Sequence, residues 1–186
     1  RSRAAGRPLG VRGRAVAAAV VLEGRYVDVA SVPDGAGRAR PWRLGGDDPV
    51  LGQALTIDLA PLRAEETRKL VISYATRPDA AALQWLTPSQ TAGGEKPYLF
   101  SQGQAILTRT WVPTQDSPGI RQTYAARIVV PSDLKAVMSA ENLTPNGEPA
   151  GAGRTAYRFR MTNTGPPELI ALGVGDVAFA DIDERT

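Results

Sequence analysis

Residues 25–32 (RYVDVASV) alternate apolar and polar positions with a period of two, as a strand with one buried face does. Residues 55–59 repeat the pattern, with Leu55, Ile57 and Leu59 on one side. Shorter runs of the same kind start at Trp42 and cover residues 70–74, 135–140, 155–162 and 169–179. Between them lie clusters of turn-forming residues. Pro33-Asp34-Gly35-Ala36-Gly37 and Gly45-Gly46-Asp47-Asp48-Pro49 are two, and residues 87–97 and 142–153 are longer loops rich in Gly, Pro, Asn and Thr. Residues 64–67 have the composition of a single helical turn. Strand signals at short intervals, without a long amphipathic helix, predict an all-β fold built as a sheet or sandwich.

The longest run that reads both as structure and as a site covers residues 96–124 (KPYLFSQGQAILTRTWVPTQDSPGIRQTY). Tyr98, Leu99 and Phe100 begin a strand, and the β-favouring Ile106, Thr108, Thr110 and Val112 predict that it continues. Pro113 and Asp116-Ser117-Pro118-Gly119 end it, and a second strand follows from Ile120 through Val130, forming a hairpin with the first. In the middle sits the small, polar Ser101-Gln102-Gly103-Gln104-Ala105. A glycine between two amides marks backbone that bulges or is closely approached. Periodicity alone reads it as a β-bulge carrying two surface glutamines.

Composition narrows the chemistry more than the fold. The 186 residues fit one domain with a sizeable core, and 42% hydrophobic content is ordinary for a globular protein. There is no cysteine, so disulfides and thiolate chemistry are excluded; the compartment stays open, with the cytoplasm favoured. There is no histidine either, which excludes a histidine-ligated zinc site, a Ser-His-Asp triad and an imidazole base within this chain. Five arginines (Arg1, Arg3, Arg7, Arg12 and Arg14) and no acid occupy the first fourteen residues. Against a whole-chain charge of +3, the remainder is therefore −2. That placement argues against a nucleic-acid interface, which needs its positive charge on the folded body. Residues 1–16 are expected to be a disordered Arg/Ala/Gly-rich leader, and residues 17–186 a single β domain. No apolar run approaches a membrane span.

Asp47-Asp48, Glu65-Glu66 and Asp181-Ile182-Asp183-Glu184 are the carboxylate clusters. Their positions in bends and at the terminus favour solvated acids over a metal or acid–base role. Lys69, Lys96 and Lys135 are the three lysines, and none sits in a nucleophile motif. Asn142-Leu143-Thr144 is a formal glycosylation acceptor.

Five separated segments, in order, carry a family resemblance. They are Ala82-Leu83-Gln84-Trp85-Leu86-Thr87-Pro88, the run from Tyr98 to Ile106, Gln115-Asp116-Ser117-Pro118, Val137-Met138-Ser139-Ala140, and the run from Leu169 to Gly175. Together they resemble the amino-terminal domain of leukotriene A4 hydrolase-like zinc aminopeptidases. The resemblance implies a large twisted mixed or antiparallel sheet with smaller flanking sheets, saddle-like in shape. It implies a substrate-cleft domain, inactive alone, whose zinc belongs to a separate catalytic domain bearing the H-E-x-x-H helix; this chain itself would hold no cofactor. The implied partners are that catalytic domain and the amino terminus of a peptide substrate, with no nucleic acid and no membrane.

The resemblance further implies that Gln102, Gln104 and Ala105 line the substrate pocket. Gln104 stands where aminopeptidase N-like relatives place a glutamate for the substrate's α-ammonium, and Ala105 is small enough to let a peptide approach. Gly103 occupies a position where cysteine is common, and Leu107 one where the mammalian enzyme has histidine. The family's first strand pair is expected to be missing, its place taken by the leader. A free-standing β-sandwich binding module without catalysis is the alternative reading.

Overall fold

The computed structural model describes residues 3–4, 8–12, 17–63 and 66–180. The sequence reads as one domain over residues 17–186; the described residues pack as two compact units. One comprises the described residues through Ala82 together with Gln102–Arg121 and Pro166–Glu168. The other comprises Leu83–Ser101, Gln122–Gly165 and the described residues from Leu169 onward. The fold is all-β, and every strand pair among the described residues is antiparallel.

In the first unit, β1 (Arg3–Ala4), β8 (Ser73–Thr76) and β4 (Val27–Ser31) form one sheet, in the order β1-β8-β4. A second pairs β2 (Pro8–Arg12) with β7 (Thr67–Val71). The third places β6 (Gln53–Leu62) between β3 (Ala17–Gly24) and β5 (Trp42–Leu44). Alternation explains β6: Leu55 and Ile57 are fully buried and lie opposite Leu22 and Val20 of β3. Each such side chain contributes roughly 1.5–3 kcal/mol on leaving water. Val32, Leu70 and Ile72 complete this core, with Trp42, Leu59 and Tyr74 packed on it.

Two local expectations change here. The run over residues 70–74 is split at Ile72, so β7 and β8 enter different sheets while Leu70 and Ile72 both stay in the core. In the leader, expected to be disordered, Arg3–Ala4 and Pro8–Arg12 are strands paired with β8 and β7. Ladder pairing uses backbone groups and does not require an alternating side-chain pattern. Residues 1–2, 5–7 and 13–16 of the leader lie outside the described residues. So do residues 64–65 of the expected helical turn, whose Thr67 begins β7.

In the second unit, β9 (Leu83–Leu86), β10 (Tyr98–Ser101), β12 (Lys135–Met138) and β16 (Leu172–Gly175) form a sheet in the order β12-β16-β10-β9. The other sheet has β15 (Arg154–Gly165) at its centre. The long β11 (Gln122–Pro131) lies on one side of it, and the short β13 (Glu141–Asn142) and β14 (Glu148–Pro149) lie on the other. Tyr157 and Phe159 of β15 face a core with Leu99, Val130, Leu134, Ala136 and Val174. The intervening Arg158 and Arg160 face water and pair with Glu148 and Glu141 at 2.8 and 3.1 Å. Gly175 is required because the Tyr98 ring occupies the space its side chain would need.

The hairpin expected across residues 98–130 does not form. β10 is flanked by β9 and β16, and β11 pairs with β15. The first strand ends at Ser101, and Thr108–Thr110 is a short 3-10 turn. The N–H groups of Leu107, Thr110, Trp111 and Val112 donate to carbonyls three or four residues back, so no β-ladder is available to them.

Candidate functional site

The Gln-Gly-Gln-Ala segment lies in the first unit and is held at both ends. At its start, the Gln102 N–H donates to the Ala82 carbonyl at 2.8 Å. At its end, Leu107 N–H donates to the Gly103 carbonyl at 2.8 Å and closes the turn. Gly103 is buried while Gln102, Gln104 and Ala105 are exposed; the Gln104–Ala105 peptide bond is cis. The structure therefore brings the three expected pocket residues together on one loop.

Their amides are not equivalent. Gln102 Oε1 accepts the Gln104 backbone N–H at 3.0 Å, which leaves its NH₂ group to donate outward. The Gln104 side chain makes no hydrogen bond to the described residues, so its carboxamide can both accept and donate. An ammonium can be met by the oxygen and a carbonyl by the NH₂. No group in the segment can serve as a general base.

Beneath the loop is a buried polar scaffold. Thr108 is fully buried, and its hydroxyl donates to the Pro167 carbonyl at 3.0 Å. Thr110, also fully buried, donates to the Leu107 carbonyl at 2.7 Å and accepts the Ala82 N–H at 3.0 Å. Between them, Arg109 directs its Nε at Asp116 Oδ2 at 3.2 Å, one terminal nitrogen at the Asp116 carbonyl at 2.7 Å, and the other at the Leu51 carbonyl at 3.1 Å. The Arg109 backbone N–H reaches the same Oδ2 at 3.0 Å. The Asp116 N–H in turn donates to the Glu23 carboxylate at 2.9 Å. Asp116 is a turn residue and motif member in the sequence; its burial, and Arg109 altogether, escape a reading by pattern. The available signal is a charged residue between two threonines in a run whose neighbours are apolar.

Several of the other sequence candidates have structural employment. Asp48 Oδ1 accepts the N–H groups of Val50 and Leu51, and these bonds, Leu51 first, lower its pKa. Glu66 is lowered in the same way, chiefly by Arg68. Lys96 reaches Asp176 at 3.3 Å and the Asp133 carbonyl at 3.0 Å, and Lys135 lies over the Phe179 ring. Asn142 Oδ1 caps the Thr144 N–H at 3.0 Å. Glu65 and residues 181–184 lie outside the described residues. Among those described, no three His, Cys, Asp or Glu side chains converge to hold a metal. With neither histidine nor cysteine present, zinc does not fit this chain.

Residues 22–167 match the family described as the peptidase M1 N-terminal domain. The chain is 37% identical over 136 residues to aminopeptidase B of Mus musculus, a match covering 73% of this chain and 20% of that one. It is 36% identical over 152 residues to leukotriene A-4 hydrolase of Xenopus laevis, covering 81% of this chain and 25% of that protein. Its fold superposes on native leukotriene A4 hydrolase from Saccharomyces cerevisiae with a TM-score of 0.80 at 28% identity. That likeness covers 97% of this chain and 27% of the other. The chain thus spans a fifth to about a quarter of these relatives.

Proposed function

Because this chain belongs to the peptidase M1 N-terminal domain family, we propose that it forms the substrate cleft of a zinc aminopeptidase. In that enzyme a catalytic domain would supply the metal, and Gln104 would receive the peptide's free amino terminus. The observation that carries the reading is the exposed Gln104 carboxamide, which bonds to none of the described residues, on a loop anchored through the Gln102 N–H, the Gly103 carbonyl and the Thr108 hydroxyl. Gln102 holds the loop through its oxygen and offers its NH₂ to a substrate carbonyl. Ala105 keeps the approach open. This chain's residues bind and orient; they transfer no proton and hold no zinc.

The test is kinetic, in the enzyme that carries this domain. Gln104→Ala removes an acceptor for an ammonium, a bond worth about 1.5–3 kcal/mol, so kcat/KM on peptides with a free amino terminus falls about ten- to a hundredfold. Gln104→Glu retains or raises it, because a carboxylate adds Coulomb attraction. An unchanged preference for free over acetylated amino termini in Gln104→Ala would refute the assignment.

A further inference from the structure

In the first unit, the turn after β4 is stitched to β7 through its backbone. The Gly35 N–H donates to the Lys69 carbonyl at 2.9 Å, and the Val71 N–H donates to the Pro33 carbonyl at 2.8 Å. An open cavity of about 400 Å³ lies at this junction, lined by Asp34, Gly35, Ala36 and Arg38 of the turn and by residues 67–69 of β7. Asp34 is the one acid in that lining, and its carboxylate is fully engaged. Oδ1 accepts the Ala36 and Arg38 N–H groups at 2.9 and 3.0 Å, and Oδ2 accepts Arg38 Nε at 3.0 Å and Arg40 at 2.6 Å. With Arg40 balancing Asp34, and Arg68 balancing Glu66 at 2.7 Å, two positive charges remain in excess, those of Arg38 and Lys69. Arg38 is clamped through Nε alone, which leaves both terminal nitrogens to donate from a side chain 73% exposed. The Lys69 ammonium has no partner among the described residues, and its stem lies along the turn: a Cβ built on Gly35 would stand 3.0 Å from Lys69 Cβ and 3.8 Å from its Cδ.

We propose that this cavity is a second ligand site, in which Arg38 and Lys69 bind the phosphate group of a small molecule. The site is separate from the glutamine loop and does not depend on the role given to Gln104. Two uncompensated cations match a dianion, whereas a single carboxylate would leave one of them unmatched. The free end of a guanidinium presents two parallel N–H groups to phosphate oxygens, and an ammonium adds a point charge beside it. Asp34 serves the site by holding Arg38 in place, so less side-chain freedom is lost when the anion arrives. The cavity's volume is at the lower end of those that enclose small ligands, which suits a compact phosphate ester or pyrophosphate. The excess is local: residues 15–186 together carry a net charge of −2, so it does not reflect a generally basic body.

Titration calorimetry of the purified chain tests this, with inorganic phosphate, pyrophosphate and acetate as probes. Phosphate and pyrophosphate should bind at one site per chain, pyrophosphate the more tightly, and acetate should not compete with either. Lys69→Met keeps the stem and removes the charge, and Arg38→Gln removes the guanidinium; each should weaken pyrophosphate binding about tenfold. Lys135→Met, at a lysine of the other unit, is the control and should bind as the parent does. No binding of pyrophosphate overturns the proposal, as does an equal loss in Lys69→Met and Lys135→Met, which would mean diffuse attraction. Acetate binding as tightly as phosphate refutes the dianion, and a phosphoserine peptide binding more tightly than pyrophosphate refutes the small molecule. Arg38→Gln also loses a bond to Asp34, so urea unfolding accompanies each variant. Lys69→Met, whose ammonium has no internal partner to lose, should unfold at the parent's midpoint and decides the matter alone if Arg38→Gln is unstable.

Discussion

Replacing Arg109 by methionine isolates the buried pair under the glutamine loop. The Arg109 and Asp116 side chains are 6% and 0% exposed, and the guanidinium reaches three acceptors on two segments. Methionine fills most of the volume but strands the Asp116 carboxylate, which keeps only the Arg109 backbone N–H on Oδ2; its Oδ1 has no partner in any case. Removing one member of a buried pair typically costs about 3–5 kcal/mol, set against a total stability of about 5–15. The control is Arg43→Met, which breaks the Arg43–Asp58 pair at 3.0 Å, with side chains 64% and 47% exposed. A pair in that setting is worth at most about 1 kcal/mol. Urea unfolding of the purified chain, followed by tryptophan fluorescence and circular dichroism, reads both. The double substitution Arg109→Met/Asp116→Leu should recover much of the loss, because no charge is then left buried. If Arg109→Met costs no more than Arg43→Met, or the double variant is worse than the single, the account of the scaffold is wrong.

Acid should weaken the first unit through Asp34. The Arg40 guanidinium first, and then the Arg38 backbone N–H, hold its carboxyl far below the ordinary 3.8. The pair at 2.6 Å to Arg40 therefore contributes fully above about pH 4, and the contribution fades as pH falls below that. Asp34→Asn should be less stable than the parent at pH 7 and should lose less between pH 5 and 2; parallel urea midpoints across that range would contradict this. Leu55→Ala, at a fully buried position opposite Leu22, should cost about 2–5 kcal/mol in the same unfolding assay, and a cost near zero would mean that β3 and β6 do not pack as described. Exhaustive dialysis of the purified chain against a chelator should leave its thermal midpoint unchanged, whereas a fall of several degrees would reveal a metal that the donor set gives no reason to expect.

The legible parts of the fold were those whose side-chain period matches their pairing. Leu55 and Ile57 mark β6, and Tyr157 and Phe159 mark β15, because one face of each meets a core and the other meets water. The glutamine segment reads as a candidate site only through resemblance; periodicity makes it a bulge. What followed it was misread for a definite reason. Ile106, Thr108, Thr110 and Val112 have the spacing and branching of a strand, yet the threonine hydroxyls are tied to Pro167 and Leu107 and the backbone closes on itself. Such bonds to partners as far as 59 residues away leave no local trace. Arg109 is invisible for the converse reason: a charge in a β-like run reads as outward-facing, and only Asp116, seven positions on, lets it be buried.

The division of the chain has a consequence for the order in which the protein is made. The first unit takes its residues from the start of the chain, from Gln102–Arg121 and finally from Pro166–Glu168, with stretches of the other unit emerging between them. A ribosome adding roughly 5–20 residues per second releases Glu168 some 3–13 s after Gly103. Throughout that interval Gly103 is without the Glu168 backbone it packs against, and Thr108 is without its acceptor. Closure then has to bring together positions separated by about a third of the chain, the kind of non-local contact that slows folding. A chain released before residue 166 would contain both glutamines of the loop but neither the Glu168 backbone beside Gly103 nor the Pro167 carbonyl that the Thr108 hydroxyl bonds.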